Sequence, residues 1–293
     1  MSKNIEYVTH SPTHSDFLIY WTGRDIMQKY GGLLANEKRY PSGVVSDFIR
    51  RLEDILEYGL WIRKREDVDY IKVNNSKFPK PQVARLCFTE LKISDSLLHA
   101  NKFGPLGIGF KRFFVINRMG SPVYYVPDTV DTGMYPFFPP FSDFYNPQDP
   151  HEFFSFFKNM SQDRNSQGYI AYDLYEESEW RIVYSEKIKS KIPASKQKYF
   201  IDPRDPGAGR YHEFYKNLAT SEKPDYLVPV DEWLALIIYP NLQIKNESFK
   251  KDGKIRDLLG RLKSGQKIFG EGLPGGEVVN FPSEFSIGAI RNF

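Results

Sequence analysis

The chain has 293 residues, 41% of them hydrophobic, enough to bury a sizeable core in one large domain or two small ones. Its 40 Lys and Arg stand against 37 Asp and Glu, and the net charge of +3 is too small to point by itself to nucleic acid as a partner. The single cysteine, Cys87, excludes an internal disulfide, and its apolar neighbours predict a small buried thiol rather than a nucleophile.

The opening stretch MSKNIEYVTHSPTHSDF lacks the continuous apolar segment of a secretory signal. Phe17–Thr22 is apolar and aromatic and reads as a short strand. Phe48, Leu52, Ile55 and Leu56 have helical spacing, which predicts a helix over Ser46–Tyr58 with Gly59 as its stop. Val83–Thr89 reads as a buried strand, and Ser94 is placed to cap a short helix carrying Leu97 and Leu98. The cluster Gly104-Pro105-Leu106-Gly107-Ile108-Gly109 precedes Phe110-Lys111-Arg112. It reads as a tight turn, or as a place where backbone and cations approach an anion, although its spacing is neither a P-loop nor a dinucleotide fingerprint. Ser121–Pro127 is a further strand, bulky and β-prone at Val123, Tyr124, Tyr125 and Val126.

Aromatic residues make up 16% of the chain, with 23 Phe and 19 Tyr. They concentrate in Tyr135–Tyr145 (YPFFPPFSDFY) and His151–Phe157 (HEFFSFF). Proline bars regular structure from the first, which reads as an ordered loop over a cleft. In the second, Phe153, Phe154, Phe156 and Phe157 predict either a core-packed helix or a surface that stacks on bases or a partner.

Glu176, Glu177 and Glu179 precede a strand at Trp180–Tyr184. On extended chain Glu177 and Glu179 share a face, where they could serve a reaction that develops positive charge at a sugar carbon. The bland reading is a solvated acidic strand start paired with Arg181. Lys187–Gly209 is either a phosphate-facing lysine strip or a solvated loop. Trp233–Tyr239 is a buried strand ended by Pro240 and the longest apolar run, far below the ~20 residues that cross a bilayer. Ile255, Leu258, Leu259 and Leu262 mark a late amphipathic helix, and Gly265–Gly276 a mobile loop or linker. Strands and helices are mixed without doubly wound regularity, so the expected class is α+β, with one domain over 1–243 and a C-terminal helical, glycine-rich extension over 244–293 packed on it. A cytoplasmic protein without membrane association is expected. The five histidines show no zinc spacing and no nucleophile elbow is present, so no metal is predicted.

CFTELKIS, His99, FGPLGIGFKR and SPVYYV, followed by EESEWRIV, together resemble the AbiGi-type abortive-infection family of bacterial phage-resistance proteins, over about Phe17–Tyr184. The order of the pieces also resembles, more distantly, ADP-ribosyltransferases of the DNA-modifying toxin type. The resemblance implies an ADP-ribosyltransferase-like mixed sheet with flanking helices and transfer of ADP-ribose from NAD to a nucleic acid or a protein. It implies Glu179 as the catalytic carboxylate with Glu177 as its acidic partner, and Tyr20, Thr22, Phe88, His99, Gly107, Gly109 and Tyr125 around the cofactor. His99 reads equally as a helix-face histidine satisfied by a neighbouring backbone group. Tyr20 stands where that larger group carries histidine or arginine. The alternative is a non-enzymatic antitoxin or phage-sensing protein that binds a toxin or phage-encoded partner, with the Tyr135–Tyr145 aromatics as a contact patch.

Overall fold

The computed structural model describes residues 17–32, 37–64, 68–73, 76–90, 96–126, 145–146, 149–160, 162–164, 170–173, 178–250, 253–264 and 282–290. Ser94, Glu176, Glu177, Gly265–Gly276 and all of Tyr135–Tyr145 except Tyr145 lie outside them.

β1 (Phe17–Thr22) leads to α1 (Arg24–Lys29), the long α2 (Ser42–Tyr58), β2 (Leu60–Ile62), the hairpin of β3 (Tyr70–Val73) and β4 (Ser76–Pro79), and β5 (Ala84–Thr89). Next come α3 (Ser96–Phe103), β6 (Leu106–Lys111), α4 (Arg112–Asn117), β7 (Ser121–Pro122) and β8 (Tyr124–Val126). A 3-10 turn at Glu152–Phe156 enters β9 (Phe157–Asn159), followed by β10 (Gln162–Arg164), β11 (Ile170–Asp173) and β12 (Glu179–Tyr184). The order closes with α5 (Glu186–Lys189), α6 (Ala194–Gln197), α7 (Arg210–Asn217), β13 (Tyr226–Val228), β14 (Leu234–Tyr239), α8 (Leu242–Ser248), α9 (Lys254–Ser264), β15 (Ser283–Ser286) and α10 (Ile287–Ile290). Strands and helices are thus mixed in an α+β protein built on one large mixed sheet with flanking helices.

That sheet has seven strands in the order β15-β14-β6-β1-β5-β12-β7. β14 and β15 are parallel and the other neighbours antiparallel. Period-2 alternation gives each strand two different faces. Leu18, Leu86, Phe88, Ile108, Phe110, Ile182 and Tyr184 join the main core with the stripe Val44, Phe48, Leu52 and Ile55 of α2. On the opposite face Ile19, Trp21, Leu236 and Ile238 form a smaller core with Ala100 of α3 and Ile287 of α10. The segment after residue 243 supplies β15 to this sheet, and α9 buries Ile255, Leu258 and Leu259 in the main core.

The glycine cluster departs from the turn read in the sequence. Gly107 and Gly109 lie inside β6, opposite Trp21 and Ile19 of β1. A Cβ on Gly107 would stand 2.9 Å from the Trp21 ring, and one on Gly109 2.7 Å from the Leu236 Cβ. Both are glycine because the smaller core packs directly on the backbone there. Gly104 does make the reversal: its φ is +113°, and a side chain on it would run into the backbone of Thr22 and Arg24.

HEFFSFF also departs from a single core-packed helix. It is a short 3-10 turn running into β9. Phe154 is buried, Phe156 and Phe157 are half-buried, and Phe153 is 45% exposed. Lys187–Gly209 holds two short helices, α5 and α6, with Lys187 paired to Asp149 and Lys189 to Glu186. No helix among the described residues is long and apolar enough to cross a membrane.

Gly109→Ala is expected to overpack the β6–β14 contact and to cost about 1–3 kcal/mol of stability. Denaturant unfolding compared with the unsubstituted chain checks this.

Candidate functional site

β1 is laddered to β6 through six consecutive pairs, from Phe17↔Lys111 to Thr22↔Leu106, and β5 to β12 through six more. Yet β1 and β5, neighbours in the same sheet, meet only at Ile19↔Thr89. Four residues further back along β5, the Arg85 N–H donates to the carbonyl of Arg63, just past β2, at 3.2 Å. The edge of β5 is therefore held at both ends by different strands, with Cys87 midway between them. A cleft of about 1020 Å³ opens at this place, and its lining draws on both faces of the sheet.

Nine Lys and Arg side chains line the cleft against four Asp and Glu. On the α2 side, Arg51 donates to the Thr22 hydroxyl at 2.9 Å and pairs with Asp25 at 2.6 Å. Arg51 and Arg63 lie over the Trp61 ring, 5.8 and 5.1 Å from its centroid. On the opposite face, Asp69 accepts from Lys80 and from Arg85, each at 3.0 Å. Burial works against the Asp69 charge, but Lys80 and then Arg85 outweigh it and hold the carboxyl at about 2. Burial lowers the Lys80 amine to about 8; Asp69 works against this without offsetting it, and repulsion from Arg181 and Arg85 adds to the lowering.

Glu179 lies at the start of β12, behind Ser178, whose φ of 42° turns the chain into the strand. Its carboxylate takes a bidentate grip from Arg181, Nε at 2.6 Å and Nη2 at 3.0 Å, and a third bond from Lys158 Nζ at 2.9 Å. The Cys87 thiol also hydrogen-bonds to it. Burial alone would favour the neutral acid, but Arg181 and then Lys158 keep it ionised, well below the usual carboxylate range. Such a group is a fixed negative charge and a poor proton acceptor. The sequence reading of a solvated acidic residue beside Arg181 is correct in the partner and wrong in the solvation, since Glu179 is 6% exposed.

The cleft brings together Tyr20, Thr22, Phe88 and Glu179. Tyr125 stands next to them, its hydroxyl accepting from the Glu179 N–H at 3.1 Å. His99 is buried beside Phe103, whose ring reaches the cleft. Gly107 and Gly109 lie on the far side of β1 and do not line it. Glu177 lies outside the described residues. Cys87 corrects an expectation: it is exposed to the cleft rather than sealed in the core. Reduced solvation within the cleft, then the Glu179 carboxylate, pushes the thiol up to about 11, a protonated and weakly nucleophilic state.

The cations themselves were missed. Arg85, Cys87 and Thr89 alternate with Leu86 and Phe88, and that period of two marks a strand with one polar face. Lys80, Lys72 and Lys158 carry no comparable local signal. Among the described residues no group of three or more His, Cys, Asp or Glu is placed to hold a metal ion. Compared with protein-family models, with curated proteins and with solved structures, the chain matches none.

The Lys80 amine is cationic below about 8, so affinity for an anion such as pyrophosphate is expected to fall as pH rises through that value. Lys80→Gln should flatten this dependence in calorimetric titrations at pH 7 and pH 9. The same shift lies below the ordinary 10.5 of the unfolded chain. Between the two values the unfolded state binds the extra proton, so stability relative to Lys80→Gln should rise with pH across that window.

Proposed function

We propose that the protein is a nucleotide-binding member of a phage-defence system, with an ADP-ribosyltransferase-like sheet whose cleft takes NAD as the donor of ADP-ribose to a nucleic acid or protein, in the cytoplasm. The observation that carries the reading is the excess of nine cations over four carboxylates in one cleft of about 1020 Å³. Phosphate is the chemistry such a site recognises. Trp61, Tyr70 and Phe103 add aromatic surface for a base to the same lining. The AbiGi-type resemblance supports the defence role, and the more distant resemblance to ADP-ribosyltransferases supports NAD as the donor. Glu179 would then act as an ionised carboxylate facing the ribose and the positive charge that grows at its anomeric carbon as nicotinamide leaves.

A second reading is favoured by the way Glu179 is saturated by Arg181, Lys158 and Cys87. A carboxylate so occupied suits a chain that binds without turnover, as an antitoxin or phage sensor would.

NAD and ADP-ribose are expected to bind saturably, and Arg51→Glu and Lys72→Glu to weaken both. Labelled NAD incubated with infected-cell extract is expected to transfer label with the unsubstituted chain and not with Glu179→Gln. Binding without transfer would select the non-enzymatic reading, and absence of binding to either ligand would remove the nucleotide site altogether.

A further inference from the structure

Lys80 closes the base of the β3–β4 hairpin. Its backbone N–H donates to the Asp69 carbonyl at 2.7 Å and its Nζ to the Asp69 carboxylate at 3.0 Å. The two bonds fix the amine in the cleft wall, where the side chain is 3% exposed and still lines the void. An ammonium has three N–H donors. Asp69 accepts one of them, and among the described residues nothing accepts the other two. Asp69 is itself fully engaged, since the same oxygen accepts from Arg85 and the other accepts the Tyr70 N–H.

The charges facing the amine come from three elements: Asp69 ahead of β3, Arg85 of β5 and Arg181 of β12. Burial, with the two guanidinium groups behind it, outweighs the one carboxylate, and Lys80 is the one lysine among the described residues shifted downward. With the amine titrating near 8, its neutral fraction at pH 7 is about 300 times that of an ordinary lysine. A desolvated lysine beside other cations is the arrangement that turns an amine into a nucleophile toward carbonyl carbon. Lys72 of β3 lines the same cleft with its side chain exposed.

The geometry points to Lys80 as an amine that condenses with the aldehyde carbon of a phosphorylated sugar, whose phosphate meets Lys72. The ammonium gives a proton to solvent, and the nitrogen lone pair forms a bond to the carbonyl carbon. The carbonyl oxygen takes up two protons, one from the nitrogen and one from solvent, and leaves as water. Ammonium and aldehyde thus become iminium and water, with no net change of charge and no oxidant or reductant. Asp69, held ionised by Lys80 and Arg85, is counterion to ammonium and iminium alike. A free sugar phosphate and the ribose end of ADP-ribose both present this chemistry, an aldehyde tethered to phosphate. The inference uses the anion-attracting cleft of the nucleotide reading and does not need NAD as a donor.

The test incubates the full chain at pH 7 with sodium cyanoborohydride, which reduces an iminium to a stable secondary amine, and maps the adducts by peptide mass spectrometry. Glyceraldehyde 3-phosphate, glyceraldehyde and ADP-ribose are the three probes, and NAD binding is titrated in parallel. Lys80 is expected to carry at least about tenfold more adduct than any other lysine, as its larger neutral fraction requires. Glyceraldehyde, without phosphate, should label it more slowly, and Lys72→Glu should slow the phosphorylated probe. Lys80→Arg keeps a cation for Asp69 and should lose this adduct alone, with thermal melting to show the chain folded; the mapping on the unsubstituted chain decides the matter if it does not fold. Trapping of either phosphorylated probe at Lys80 upholds the inference, and which of the two is trapped names the source. Adduct spread evenly over the lysines, or Lys80 labelled equally by glyceraldehyde and its phosphate, overturns it. NAD bound with no adduct at Lys80 overturns it while leaving the nucleotide reading in place. Adduct at Lys80 with NAD unbound does the reverse.

Discussion

Glu179 and Arg181 lie two residues apart on one face of β12, at 6% and 5% exposure, and such groups can be buried together only because they neutralise each other. Removing one partner of a buried pair strands the other and costs about 3–5 kcal/mol. Much of the cleft wall is arranged to keep the pair satisfied. Arg181 donates to the carbonyl of Ser155 in the 3-10 turn, Lys158 of β9 donates to Glu179, and Tyr125 of β8 accepts from the Glu179 N–H. β8 and β9 run parallel as a two-stranded ribbon, and these bonds tie that ribbon and the turn leading into it to the main sheet. Asp69 repeats the logic beside it by holding Lys80 and Arg85.

The saturated carboxylates explain what the cleft offers to a ligand. Asp25, Asp69 and Glu179 already have their cations, and Glu179 and Asp69 are held ionised by them. The remaining positive charge is the surplus. A phosphate entering the cleft meets guanidinium groups already oriented by Thr22, Asp25 and Asp69, so less rotamer freedom is lost on binding than at a surface lysine.

The regular elements were legible from local pattern. Apolar spacing placed α2 and α9, and β-prone runs placed β1, β5, β12 and β14, because each buries a stripe or a face that its own sequence must encode. Gly107 and Gly109 were not legible, since a glycine that lets two strands pack closely looks the same in sequence as one that turns the chain. Tyr20, Thr22 and Glu179, which do line the cleft, were singled out through the family resemblance, with the acidic start of an apolar strand as the local signal for Glu179 alone. Arg51, Arg63, Lys80 and Lys158 were not, because they come from elements far apart in the chain and meet only through the sheet order and the failure of β1 to pair fully with β5.

The whole-chain charge concealed the same feature. The cleft takes nine of the 40 Lys and Arg but four of the 37 Asp and Glu, so the rest of the molecule is slightly acidic although the chain is basic. At physiological salt, charges separated by more than about 8 Å are largely screened. An approaching anion therefore responds to the local surplus at the cleft and hardly at all to the net charge. Low-dielectric walls focus that surplus further. The paired strand ends that hold the cleft open, and not the composition of the chain, decide where its electrostatic attraction is felt.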